Sequence, residues 1–298
     1  MTALSDNMRG AVFMVLGMMG FVFNDTLMKV ISSDLNLFQS IFIRGIMTTA
    51  LLGLLAWQQG ALKHPKAKLS KRLLVRMFGE IGGTFCFLTA LFNIPLADAT
   101  AILMAMPLAV TLGASLFLGE KVGWRRYSAI AIGFVGVIII LRPSAEGIDT
   151  YYLFALATVF FMVIRDLCTR QFDRDTPSFF IAFATSAAMT VASGVLVPFE
   201  VWRPLSTESF GTLAAAAIFL LVGYIFTVMT VRVGDISFAA PFRYTNLVWA
   251  ILLGIVIFDH IPDSATLIGS AIVVATGLYS LLRERKVAPG TVTAPKAL

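Results

Sequence analysis

An all-α integral membrane protein, with ten transmembrane helices arranged as two inverted five-helix repeats, is the fold class this sequence predicts. Three observations predict it. The first is composition: of 298 residues, 58% are apolar and only 13% charged, against roughly 45–50% and about 25% in soluble domains. So few charged side chains leave much of a soluble surface uncovered, and the apolar excess must face lipid. The second is a series of ten apolar runs, each near the roughly 20 residues a helix needs to cross a ~30 Å hydrocarbon core. The third is the distribution of basic residues, which falls on alternate connections.

Taken in order, the runs cover 10–31, 37–57, 74–94, 98–117, 126–141, 151–170, 177–197, 210–231, 237–258 and 264–282. They divide the chain into an N-terminal tail (1–9), a first repeat (10–141), a second repeat (151–282) and a C-terminal tail (283–298). Only Arg9 stands ahead of the first run, and no small-residue cleavage site follows a short apolar stretch, so it reads as a retained helix and not a signal peptide. The longest connection runs from Gln58 to Leu73, too short to insert a catalytic domain.

Sixteen basic residues lie on the N-terminal side of the runs: Arg9; Lys63, Lys66, Lys68, Lys71 and Arg72; Lys121, Arg125 and Arg126; Arg170 and Arg174; Arg232; Arg283, Arg285, Lys286 and Lys296. Three lie on the other side: Lys29, Arg142 and Arg203. The positive-inside rule then places both termini in the cytoplasm of an inner-membrane protein. The net charge of +6 is topogenic and gives no nucleic-acid signal. Trp57, Trp124 and Trp202 fall near interfaces, whereas Trp249 sits in mid-span. Cys86 and Cys168 both lie inside apolar runs, so neither a disulfide framework nor a paired-cysteine metal site is indicated. No cofactor is expected.

The halves repeat. Asn24-Asp25 and Lys29 align with Arg165-Asp166 and Arg170, an acid and a base four apart near the end of each half's first run. Ala97-Asp98-Ala99-Thr100 matches Gly234-Asp235-Ile236-Ser237 ahead of each fourth run, and Leu118-Gly119-Glu120-Lys121 matches Ile257-Phe258-Asp259-His260 after it. Five crossings separate the halves, so they are inverted in the membrane, as in secondary transporters whose site lies between the repeats.

These residues also resemble a known family. Pro95 through Ile102, Pro107-Leu108, Leu118 through Gly123, Gly133-Phe134-Val135-Gly136-Val137 and Arg142-Pro143 are similar to the first EamA repeat of the drug/metabolite transporter superfamily. Ala240 through Tyr244, Phe258-Asp259, Ile261-Pro262-Asp263, Ile268-Gly269 and Gly277-Leu278-Tyr279 echo the second. Asp259 stands where that repeat usually has Glu, and His260 where a basic or apolar residue is usual. The resemblance implies a ten-helix bundle that moves small metabolites, with amino-acid exporters of the YddG type among the similar proteins. It leaves the substrate open.

Ionisable groups at span depth are costly and mark functional sites by default. Asp25 and Arg44 lie at similar depth on one side, placed to pair. Glu80, Arg165, Asp166 and Arg243 lie at similar depth on the other, two acids and two bases. Each cluster serves either helix packing or a gate that closes one side at a time. Arg243 follows the Pro241 break and shares a face with Asn246; it suits a substrate carboxylate. Glu80 is framed by Gly79, Gly82 and Gly83, small residues that let helices approach or leave room for substrate, and Thr84 lies one turn on. Thr100, Met104, Pro107, Thr111 and Ser115 form one stripe on the fourth run, and Tyr224 and Thr227 another on the eighth. Trp249 either stacks on an apolar substrate or packs.

The expected function is therefore export of small metabolites, amino acids foremost, by alternating access. The alternative is import or exchange of another class, such as nucleoside-like S-adenosylmethionine or cationic drugs. No ATP-binding loop is present, so gradients must drive transport; if protons couple it, Glu80, Asp25 and Asp166 are the carriers. An intramembrane enzyme finds no dyad, since the only histidines are His64 and His260 in connections. The expected partners are the lipid bilayer and a small-molecule substrate, not nucleic acid, and one chain holds a full repeat pair, so a monomer is expected.

Overall fold

A computed structural model describes residues 5–62, 70–120, 122–143, 147–171, 177–233 and 235–287. Lys63, Lys66, Lys68, Lys121, Arg174 and Lys296 of the charge argument above, His64 and Gly234 lie outside the described residues, as do 1–4 and 288–298 of the two tails. Among the described residues, ten helices are long and apolar enough to cross a membrane. They are α1 (Asp6–Ile31), α2 (Leu37–Gln58), α3 (Lys71–Asn93), α4 (Leu96–Phe117), α5 (Trp124–Leu141), α6 (Thr150–Thr169), α7 (Ser178–Leu196), α8 (Thr207–Val233), α9 (236–258) and α10 (Ser264–Val287). Both helical ends of the bundle, at Asp6 and Val287, fall on one face, called here the termini side.

Several helices begin before their apolar runs because polar caps start them. Ser5 accepts from the Met8 amide at 3.4 Å, with Asp6 in the first turn; Ser70 accepts from Leu73 at 3.3 Å and Asp149 from Tyr151 at 2.8 Å. Each cap satisfies an amide that the first turn leaves without a carbonyl partner.

Most helices have their largest partner in the other repeat: α1 packs on α8, α3 on α6, α2 on α7 and α5 on α10. Small residues set the distance at these crossings. A Cβ on Gly20 would meet the Gly223 amide at 2.8 Å, and one on Gly136 the Gly269 carbonyl at 2.8 Å. Gly79, Gly82 and Gly83 are filled the same way, by the backbone of Phe161 and Arg165, the Phe161 ring and Met162. They serve helix packing, and the room for substrate expected beside them is not there.

Two helices are broken, at corresponding places in the repeats. In α4, Leu96–Leu103 and Met106–Phe117 are separate helical segments with Pro107 in the first turn of the second. In α9, a turn at Ile236–Ala239 passes through the 3-10 stretch Ala240–Tyr244, which holds Pro241, before Thr245–Phe258. Both helices then end in the same motif. The Glu120 amide reaches back to Ala114 O at 3.3 Å and the His260 amide to Gly254 O at 3.1 Å, with Gly119 and Asp259 left-handed at φ 69° and 50°. Such a six-residue return needs a left-handed residue, for which glycine is best and aspartate tolerated. The geometry therefore sets Asp259 against Gly119 and His260 against Glu120, one residue away from the sequence match. The Asp98 match is displaced too, since Asp98 lies inside the first turn of α4 whereas Asp235 precedes α9.

Candidate functional site

A cavity of about 400 Å³ opens on the termini side. Its walls are Met106, Pro107, Val110 and Thr111 of α4, Asp166, Thr169 and Arg170 at the end of α6, Ile236, Ala240 and Arg243 at the start of α9, and Leu281 of α10. The two broken helices thus supply much of the lining. Pro107 and Pro241 cannot donate amide hydrogens, and the breaks free backbone groups beside the cavity. Thr111 donates to the Pro107 carbonyl at 2.9 Å.

Arg243 and Asp166 both line this space. No hydrogen bond or ion pair joins Arg243 to another residue among the described ones, so its guanidinium is available. Asp166 is held through one oxygen by Arg165 Nε at 2.8 Å. Behind it a chain of charges runs into the bundle: Arg165 Nη1 lies 3.5 Å from Glu80, and Arg76 Nη2 lies 3.6 Å from the other Glu80 oxygen. The expected two-acid, two-base cluster is assembled differently. Arg76, one turn before Glu80 and overlooked by the sequence reading, takes the second basic position and leaves Arg243 to the cavity.

Asp25 and Arg44 do not pair directly. Arg44 Nη1 donates to Asn24 Oδ1 at 2.8 Å, and Asn24 Nδ2 donates to Asp25 Oδ1 at 2.9 Å. A carboxamide donates and accepts at once, so Asn24, only 2% exposed, bridges two groups that stand too far apart to touch. Tyr224 stacks edge-on against Phe21 at 5.6 Å and feels the charges of Glu80, Arg76, Arg165 and Arg44, which places it between the two clusters.

Other candidates fall elsewhere. Met104 is buried in the core and does not face the cavity, because the break after Leu103 interrupts the stripe that joined it to Pro107 and Thr111. Thr100 is 1% exposed, and Ser115 bonds the Tyr127 hydroxyl at 2.5 Å. Thr84 is half-buried on α3 and does not line the cavity. Asn246 Oδ1 and Trp249 Nε1, one and two turns beyond Arg243, are buried without a hydrogen-bond partner, as is the Tyr244 hydroxyl.

The opposite side is closed by a polar network that the sequence reading did not assemble. Asp98 is 1% exposed. It accepts from the Tyr152 hydroxyl, from Thr266 Oγ1 at 2.8 Å, and lies 3.6 Å from Arg142 Nη2. Arg142 also reaches Asp263 at 2.7 Å and Thr266 at 2.8 Å. The Thr266 amide that Asp263 caps, then the Thr266 hydroxyl and Arg142, hold the Asp263 carboxyl below the usual carboxylate range. Lys29 donates to the carbonyls of Leu91 and Ile94 at 2.7 and 2.8 Å and lies over the Phe258 ring. Ends of α1, α3, α4, α5, α6 and α10 are tied in this way.

The bundle is thus open at one face and tied by hydrogen bonds at the other. The model of the EamA-like transporter family matches this chain twice, over residues 8–142 and 149–282. The chain belongs to the EamA-like transporter family. Its relatives are small-molecule transporters of the drug/metabolite type. An S-adenosylmethionine uptake transporter of Rickettsia conorii is 26% identical, covering 95% of this chain and 96% of its own length. A pseudopaline exporter of Pseudomonas aeruginosa is 27% identical over 93% and 97%. A riboflavin transporter of Vibrio cholerae is 28% identical over 72% of each. A crystal structure 18% identical superposes with a TM-score of 0.66, covering 93% of this chain and 98% of that one, which shows the same fold. This EamA-like protein is accordingly a multi-pass membrane transporter of small molecules.

Proposed function

We propose that the protein exports neutral, zwitterionic metabolites, amino acids foremost, from the cytoplasm across the inner membrane, with both termini cytoplasmic. The observation that carries this is the pairing of an unengaged Arg243 with Asp166 on the walls of one cavity. Arg243 takes the substrate carboxylate in a bidentate geometry, and the free oxygen of Asp166 takes the ammonium. A volume of about 400 Å³ falls within the ~300–1,000 Å³ of small-molecule sites. Thr111 lines the same space. The excess of basic residues on the termini side supports the orientation, and a cavity open there loads from the cytoplasm.

The second reading is uptake of a larger molecule with the same head. S-adenosylmethionine, the substrate named for the Rickettsia relatives, carries an α-amino-carboxylate that suits the same charge pair. Liposomes holding the purified protein separate the two: labelled neutral amino acids and S-adenosylmethionine are offered with and without a pH gradient, beside empty liposomes. Amino-acid movement above the empty control supports the first reading and S-adenosylmethionine movement alone the second. Movement of neither overturns the carboxylate role of Arg243. Arg243→Gln abolishes transport while folded protein remains in the membrane; normal transport by that variant overturns the role as well. In the pH-gradient arm, loss of pH dependence in Glu80→Gln identifies Glu80 as the coupling group, and unchanged dependence excludes it.

A further inference from the structure

The inverted repeat gives each group at the closed face a counterpart at the open one. The register is fixed by helix crossings: Gly20 of α1 meets α8 at Phe219 and Gly223, and Phe161 of α6 meets α3 at Gly79 and Gly82. Counting the same distance along each helix reaches Lys29 from Gly20 and Arg170 from Phe161. The two basic residues are therefore equivalent in the fold, and they do different things.

Lys29 is engaged. It crosses from α1 to the C-terminal end of α3 and donates to the Leu91 and Ile94 carbonyls at 2.7 and 2.8 Å. A helix end leaves its last four carbonyls without amide partners and carries partial negative charge, so a cation there is doubly favoured. Arg170 is not so engaged. It stands at the cavity mouth, where its Nη1 lies 3.2 Å from Glu120 in a pair whose side chains are 43% and 46% exposed. Its counterpart of the α3 end is the end of α8, at Val233. On the closed face α1 packs against α3; α6 and α8 make no contact of that extent. The cavity separates them, with Thr169 and Arg170 on one lip and Ile236, just beyond the α8 end, on the other.

We propose that Arg170 is the latch of the termini side: on closure it leaves Glu120, crosses the cavity mouth and donates to the C-terminal carbonyls of α8, as Lys29 now does at α3. The moving body is the α3–α6 pair, which tilts against the α1–α8 pair. Arg72, bonded to Gln171 O at 2.6 Å, and Arg76, bonded to Thr169 Oγ1 at 3.0 Å, hold the end of α6 to α3 and travel with it. Only one of the two latches is engaged at a time, so Lys29 and Arg170 work in opposition. This rests on alternating access alone and not on the substrate.

The experiment is a spin-label distance measurement between Gln171→Cys and Arg232→Cys in full-length protein in nanodiscs, with Cys86 and Cys168 replaced by alanine. Lys29→Gln releases the closed face, and the short-distance population rises at least fivefold over the parent. Adding Arg170→Gln to Lys29→Gln returns it to the parent level, whereas adding Arg170→Lys, the residue found at the equivalent position, retains it. An unchanged distribution in Lys29→Gln, or a short population that persists with Arg170→Gln, overturns the proposal. Should Lys29→Gln fail to insert, Tyr152→Phe weakens the same face through Asp98 and takes its place with the same expected outcomes. Because no substrate enters the measurement, a failure here is distinguishable from a failure of the amino-acid reading.

Discussion

The two faces of the bundle are built from related residues but sealed by different means. Opposite the termini, an equally exposed pair, Arg142 with Asp263, is backed by buried and engaged groups: Asp98 at 1% exposure takes Tyr152 and Thr266, and Lys29 caps the end of α3. On the termini side a surface pair, Arg170 with Glu120, is nearly half exposed and stands at the mouth of a cavity. Exposed pairs contribute about 0–1 kcal/mol, whereas buried groups must be satisfied or cost more. The fold therefore holds one face shut through desolvated hydrogen bonds and leaves the other held by contacts that water readily replaces. The difference between the faces is one of engagement more than of residue type.

The strongest way to break this comparison lies inside the termini half. Arg165→Gln removes the bonded partner of Asp166 and leaves Glu80 with Arg76 alone, and removing one partner of a fully buried pair costs about 3–5 kcal/mol, an upper bound here because Asp166 lines the cavity; thermal unfolding in detergent drops accordingly, and an unchanged transition would show that these carboxylates find other partners. Next is the crossing on which the two faces balance. Gly136→Leu forces a side chain against the Gly269 carbonyl, 2.8 Å from the position of its Cβ, and overpacking costs about 1–3 kcal/mol. Gly211→Ala is its control, because nothing lies within 4 Å of that Cβ and a helical Gly→Ala exchange stabilises by about 0.4–1 kcal/mol. Destabilisation by both would remove the crossing's special role.

The smallest expected effect sharpens the closed face. Asp263 is nearly half exposed, so Asp263→Asn lowers stability by no more than about 1 kcal/mol. Its carboxyl is held below its ordinary value, so its contribution is complete above the unfolded pKa of about 3.9 and disappears as pH falls through the lowered one. With His260, whose charge also acts on this carboxyl, replaced by Asn in both proteins, the stability difference between Asp263→Asn and its parent is therefore flat from about pH 8 to pH 5, and a difference that grows or shrinks across that window would point to another titrating group.

Much of the architecture is legible in the sequence because lipid imposes one strong rule. Ten apolar runs, alternating basic connections and the repeat each follow from helix length and local chemistry. The broken ninth span is legible through Pro241. The break in the fourth is announced only by Pro107, which belongs to the first turn of a new helix segment, and reading through it produced a stripe containing Met104. The candidate site was legible as a set of embedded charges but not as a set of partners. Arg243 was placed in the cluster that Arg76 completes, and Asn24 was passed over between Asp25 and Arg44, because which groups meet is decided by helix rotation. The Asp98 network was least legible, since Asp98, Arg142, Tyr152 and Thr266 come from four helix ends that converge only once both repeats are assembled.

The pairing of α1 with α8, α2 with α7, α3 with α6 and α5 with α10 has a consequence for biosynthesis. When the first five helices have left the ribosome, the surfaces made for the second half still face lipid, and Gly20, Gly79 and Gly136 are open notches. The nascent half-protein waits in the bilayer as loosely associated helices until its later partners insert. A chain built in this way assembles by docking one half onto the other, so the two halves made as separate polypeptides in one membrane should recombine into the complete bundle.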